Sequence, residues 1–157
     1  MLEIYHNDPI VRSFLLFIQS ADAVLKYADA TFFRHNRLSL VKLMVLQVLE
    51  AAGGTLEPSN IAKQILREPH GISTLVKRLE KDNLVTINRN EKDRRYVMVT
   101  LTDKGKALIR DTMPTAFQIV NQVMSSIPEG DAIQLVKPLK VMRKNAYEGI
   151  EKIARSD

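Results

Sequence analysis

Two short segments in the middle of the chain limit its fold more than any other feature. "PSNIAKQIL" begins at Pro58 and "PHGISTLVKRLEKDN" begins at Pro69, with only "REP" between them, its proline opening the second segment. Proline at the first helical position costs no hydrogen bond, because that N–H has no partner inside a helix. The pattern therefore predicts two helices joined by a tight turn. On the second, Ile72, Leu75, Val76 and Leu79 share one face. At 100° per residue, His70, Thr74, Lys77 and Lys81 fall opposite, with Ser73 and Arg78 flanking. This outward face carries hydroxyls, an imidazole and cations but no carboxylate. Such a pair is the pattern of a helix-turn-helix.

The flanking chain completes the outline. After the second helix, "LVTIN" and "RYVMVTL" are β-rich runs separated by the charged tip "RNEKDR", which predicts a hairpin with a basic end. Before the pair, Asp8 and Pro9 start a long helix whose apolar stripe is Ile10, Phe14, Phe17, Ala21, Val24 and Ala28. Ser39 is placed to cap a second helix, apolar nearly all round, that stops at Gly53-Gly54. After the hairpin, Thr102 is placed to cap a helix carrying Leu108, Met113, Phe117, Val120, Met124 and Ile127, with Pro114 expected to bend it. Pro128 starts a last helix interrupted by Pro138. The order is α-α-α-α-β-β-α-α. This is a mainly α chain with a small β-hairpin wing, a winged helix-turn-helix flanked by further helices.

Charge supports a polyanionic partner. Residues 60–110 hold twelve Lys/Arg and six Asp/Glu, a net of +6, and the rest holds eleven and twelve, a net of −1. The basic excess thus belongs to the predicted helix-turn-helix and wing, and nucleic acid is the commonest polyanion. The chain has no cysteine, which excludes disulfides, thiolate metal sites and thiol sensing. Its three histidines, His6, His35 and His70, are scattered, and no metal-ligand spacing or nucleophile–base arrangement stands out. No cofactor, metal or enzymatic activity is expected. No apolar run is long enough to span a bilayer, and no secretory signal is visible at the N-terminus, so a cytoplasmic location is expected.

With these residues, the chain resembles the MarR family of winged-helix transcriptional regulators along nearly its whole length. "REPHGISTLVKRLEKDNLV" (67–85) looks like the family's recognition helix running into its wing. "DRRYVMVTLTDKGKAL" (93–108) looks like the return strand and the Leu-Thr-x-x-Gly helix start. The resemblance implies a sequence-specific regulator of transcription, a repressor in the usual case. It would act as a homodimer on double-stranded DNA with a pseudo-palindromic operator and respond to a small-molecule effector. It also implies three parts: an N-terminal dimerisation helix (1–36), a DNA-binding lobe (37–101) and C-terminal dimerisation helices (102–157). His70, Ser73, Thr74, Lys77, Arg78 and Lys81 would then contact DNA from the recognition helix. Arg89, Lys92, Asp93, Arg94 and Arg95 would do so from the wing, with Arg95 in the minor groove and Asp93 orienting the arginines. An effector pocket would lie where the first two helices and the one beginning at Asp103 meet.

Plainer readings stand beside these. "EKDRR" also suits a solvated hairpin tip, since exposed ion pairs contribute little. Ser73 and Thr74 suit local capping, and Lys77, Arg78 and Lys81 a solubilising face. Ser59, Asn60 and Lys63 on the preceding helix are weaker candidates for backbone contact. A winged-helix module that binds an acidic protein with its basic wing is the alternative function.

Overall fold

The computed structural model describes residues 8–89 and 97–155. It divides into two compact units, Met1–Ile119 and Val120–Asp157. In the first, α1 (Pro9–Asn36) begins where the N–H groups of Ile10 and Val11 donate to Asp8 Oδ1 at 2.7 and 3.2 Å. It ends at Arg37, whose left-handed backbone (φ 52°) lets its N–H reach the Phe33 carbonyl. α2 (Leu40–Ala51) follows. Ser39 stands at its N-cap, but the hydroxyl makes no cap hydrogen bond. Asp29, two turns back from the end of α1, takes the Leu40 N–H instead at 2.7 Å. A long-range carboxylate has displaced the local hydroxyl as the cap.

α2 is the centre of this unit. Leu43, Val45, Leu46 and Leu49 are buried, as its apolar sequence requires. Its end at Gly53 and Gly54 uses positive φ values of 81° and 97°, conformations that cost glycine little. Gly54 then turns its carbonyl to the Leu101 N–H (2.7 Å), which draws the following two residues onto the sheet. These form β1 (Thr55–Leu56), so the expected hairpin is in fact a three-stranded antiparallel sheet. Its order is β1-β3-β2, with β2 at Val85–Arg89 and β3 at Val97–Leu101. Val85, Val99 and Leu101 point into the core, Leu84 is buried just before β2, and Val97 is half-buried.

α3 (Pro58–Ile65) and α4 (Pro69–Lys81) form the helix-turn-helix. Ile61, Ala62 and Ile65 pack with Ile72, Val76 and Leu79, all buried. The turn between them passes through Leu66 at φ 53°, an exposed side chain in a left-handed conformation. α5 (Asp103–Val123) begins under Thr102, whose hydroxyl oxygen accepts from the Gly105 N–H (3.0 Å) while its hydrogen goes to the Asn83 carbonyl (2.8 Å).

The buried stripe of α5 differs from the one its apolar residues suggest. Gly105, Ile109, Thr112, Thr115 and Ile119 face inward, whereas Met113, Phe117 and Val120 are exposed. The two threonines are buried without penalty because both are paired: Thr112 Oγ1 to the Ile109 carbonyl (2.6 Å), and Thr115 Oγ1 to Asn36 Oδ1 (2.9 Å). In the second unit, α6 (Glu129–Ala154) carries Pro138 in its interior and has no buried residue.

Candidate nucleic-acid interface

The geometry of α4 sorts its side chains by chemistry. With Ile72, Val76 and Leu79 in the core and Leu75 half-buried, the opposite face presents His70, Ser73, Thr74, Lys77, Arg78 and Lys81, all exposed. The structure thus brings the six helix candidates together on one surface. Their hydroxyls are not free donors, however. Ser73 Oγ donates to the Pro69 carbonyl (3.2 Å) and Thr74 Oγ1 leans on the His70 carbonyl (3.5 Å). Such back-bonding along a helix is common for these residues. Their lone pairs remain available to donors, and donation to a phosphate requires the hydroxyl to rotate away from the helix.

The acids near this face are largely committed to the fold. Glu80 Oε1 accepts the Ile87 N–H at 3.0 Å. Asp82 Oδ2 pairs with Lys42 Nζ at 2.8 Å. Glu68 is the exception: it stands at the N-cap without making a cap hydrogen bond, and it shares a shallow depression with Arg67, Thr74 and Arg78. The cationic face therefore has an acidic neighbour at each end, Glu68 near its start and the exposed Glu80 near its finish.

The turn after α4 is held from three sides. It passes through Asn83 in a left-handed conformation (φ 56°), which lets the Leu84 N–H close onto the Leu79 carbonyl at 2.9 Å. Lys42 on α2 holds the Asp82 carboxylate, Lys104 on α5 donates to the Asp82 carbonyl (2.8 Å), and Thr102 donates to the Asn83 carbonyl. Arg89 ends β2, and the remaining wing candidates, Lys92, Asp93, Arg94 and Arg95, lie outside the described residues. Ser59, Asn60 and Lys63 are exposed on α3.

Sequence reasoning missed Lys42, Asp82 and Lys104. Each is a surface charge in the sequence and becomes meaningful only when α2, α4 and α5 converge. An open cavity of about 320 Å³ lies at that junction, bordered by Arg37, Lys42, Asp82, Lys104 and Asp111, with Leu38 and Leu108 among its apolar lining.

A helix-turn-helix whose second helix exposes a cationic face, followed at once by an antiparallel sheet and a capped helix, defines a winged-helix DNA-binding regulator of transcription. Comparison with known proteins narrows the class. Residues 32–112, just over half of the chain, match the family model described as transcriptional regulator SarA/Rot, and the chain belongs to that family. It is 24% identical over 139 residues to the HTH-type transcriptional regulator SarZ of Staphylococcus aureus strain MRSA252, covering 88% of this chain and 90% of that protein. Among solved structures, it resembles the organohalide-sensing regulator RdhR-CbdbA1625 in its 2,4-dichlorophenol-bound form. That match has a TM-score of 0.77 and 24% identity, over 91% of this chain and 85% of that one. It also resembles Sco3205, a MarR family regulator from Streptomyces coelicolor in complex with DNA. Here the TM-score is 0.76 and the identity 21%, over 85% and 84% of the two chains. At these identities the structural likenesses establish the fold, which is MarR-like.

Proposed function

We propose that this regulator is a homodimeric repressor that reads a pseudo-palindromic operator through the exposed face of α4 and through its wing. The observation that carries the reading is the separation of charge on and around α4. Lys77, Arg78 and Lys81 point outward, while Glu80 and Asp82 are turned to the wing and to α2. Lysine and arginine on such a face suit phosphates and guanine edges. The reading also assigns Arg89, Lys92, Arg94 and Arg95 to DNA contact from the wing, with Asp93 the carboxylate that would orient the arginines. This reading involves no catalysis, cofactor or metal, and it places the protein in the cytoplasm.

Dimerisation through segments 1–36 and 102–157, flanking a DNA-binding lobe at 37–101, is supported by exposed apolar side chains. Ile10 (79% exposed), Phe14 and Leu16 on α1, Phe117 on α5, and Ile133 and Ile153 (68%) on α6 all lie open. Large exposed apolar surface marks an interaction site, and α6 buries nothing by itself. A two-fold dimer places two recognition helices on successive turns of one DNA face.

A small-molecule effector in the cavity bordered by Lys42, Asp82 and Lys104 would touch the residues that hold the end of α4. It changes DNA affinity only if it prefers one arrangement of that junction over another. The test is fluorescence anisotropy on a duplex from upstream of the protein's own gene against a shuffled duplex, across a salt series, with sedimentation to fix the oligomeric state. The reading expects a preference for the first duplex that survives added salt, from a dimer. Equal and steeply salt-sensitive binding to both would refute specific reading, and absence of binding at low salt would move an acidic protein partner to first place.

A further inference from the structure

We propose that Glu80 is a positioning residue for DNA reading, whose carboxylate sets the wing strand at a fixed angle to the recognition helix. The argument begins at the open edge of the sheet. With the order β1-β3-β2, one side of β2 has no strand beside it. The register pairs Ile87 with Val99, and the Leu84 carbonyl accepts the Thr102 N–H at 3.1 Å. Hydrogen-bonded pairs in an antiparallel ladder alternate, so residues 84, 86 and 88 face β3 and Ile87 points its N–H away from it. That outward N–H meets Glu80 Oε1 at 3.0 Å, from the last turn of α4.

The neighbouring contacts make this bond distinctive. Asp82, Asn83 and Leu84 are held through their backbone by Lys104, Thr102 and Leu79, which fixes the turn. Among the described residues, the Glu80–Ile87 bond is the hydrogen bond that joins helix to strand beyond that turn. Pairing with β3 and the buried Val85 hold β2 in the sheet, and the Glu80 bond adds a direct tie from the helix to the strand three residues beyond the turn. The chemistry also runs against a passive role. Glu80 lies between Lys77 and Lys81 in sequence, and a carboxylate there weakens the positive potential that attracts phosphates. A charge-assisted bond to an otherwise unpaired edge amide is stronger than a neutral one and accounts for an acid at this position.

The proposal rests on the assignment of the wing to DNA. Its test compares Glu80→Ala and Glu80→Gln in the full chain by three readouts: exchange of the Ile87 amide by NMR, operator affinity by anisotropy, and the melting temperature. Glu80→Ala should speed exchange of the Ile87 amide, lower Tm by about 2–4 °C, and lower operator affinity roughly three- to tenfold, since re-ordering the strand on DNA costs up to the worth of that one hydrogen bond. Glu80→Gln keeps an acceptor and should restore most of all three. Three results would overturn the proposal: unchanged or tighter binding by both variants, faster Ile87 exchange without loss of affinity, or equal losses of affinity and melting temperature in both. Arg95→Ala in the same series separates the two claims. No loss there removes the wing contact and this proposal with it, whereas a loss there with none in Glu80→Ala removes only the role of Glu80.

Discussion

Adding one methyl group at Gly105 should damage this fold more than most core truncations of similar size. Gly105 lies in the first turn of α5 against the end of the recognition-helix segment. A Cβ built there meets the Leu84 carbonyl oxygen inside any real contact distance, and Leu101 Cδ1 at 2.7 Å. The leucine methyl has room to give by rotating, but the carbonyl does not, because it accepts the Thr102 N–H and belongs to the turn that fixes α4. Alanine favours a helix over glycine by about 1 kcal/mol. Overpacking against backbone costs about 3 kcal/mol, at the upper end of the usual range. Disturbing the Thr102–Leu84 bond adds about 1 kcal/mol. The net is a loss of about 3 kcal/mol for Gly105→Ala, which for a chain of this size lowers Tm by about 6–12 °C. Thermal and urea melts at one fixed protein concentration would measure it, since the stability of an oligomer depends on concentration. Gly71→Ala is the matched control: its added Cβ meets nothing within 4 Å, so propensity alone should raise stability by about 0.5–1 kcal/mol. A Tm for Gly105→Ala at or above that of the parent would refute the steric reasoning.

Three further outcomes follow from particular contacts. Asp29→Ala should destabilise by about 1 kcal/mol in urea melts, because it removes the acceptor of the Leu40 N–H, while Ser39→Ala should be close to neutral. Leu66→Gly should raise Tm by about 2–4 °C, because the turn holds Leu66 at φ 53° with its side chain half exposed, and relief of that conformation is worth about 1 kcal/mol. Lys77→Gln should weaken binding to operator and shuffled duplexes alike if Lys77 contacts phosphate. The slope of log affinity against log salt would then flatten by about 0.9 per lost contact, hence about twice that for a two-fold dimer. A loss confined to the operator would instead assign Lys77 to a base edge.

What was legible in the sequence and what was not divides along the range of the contacts involved. The proline starts at 58 and 69, the glycine stop at 53 and 54, and the amphipathic face of α4 all follow from local rules, and each stands where those rules place it. The strand β1 could not be read, since two residues carry no periodicity and Thr55–Leu56 become a strand only because Gly54 and Thr100 lie beside them. Ser39 was the local candidate for a cap, and it lost to Asp29 across a helix–helix junction. On α5, the eye follows Met113, Phe117 and Val120, yet the inward face runs through Thr112 and Thr115.

The inward face of α5 carries physical content. A threonine whose hydroxyl is satisfied buries a methyl as well as valine does, so polarity in the sequence hid the true core face. Met113 and Phe117, on the first unit's share of α5, are left exposed. Apolar residues on α1 and α6 are likewise exposed, and the two observations have one cause. With paired threonines in the core, the phenylalanine and isoleucine left outside are what the proposed dimerisation through these helices would use. Charge on the recognition helix obeys the same logic. Lys77 and Lys81 were legible as one outward set because spacing alone puts them on one face of α4. What Glu80 does at the edge of that face was not legible, because its carboxylate bonds an amide seven residues away.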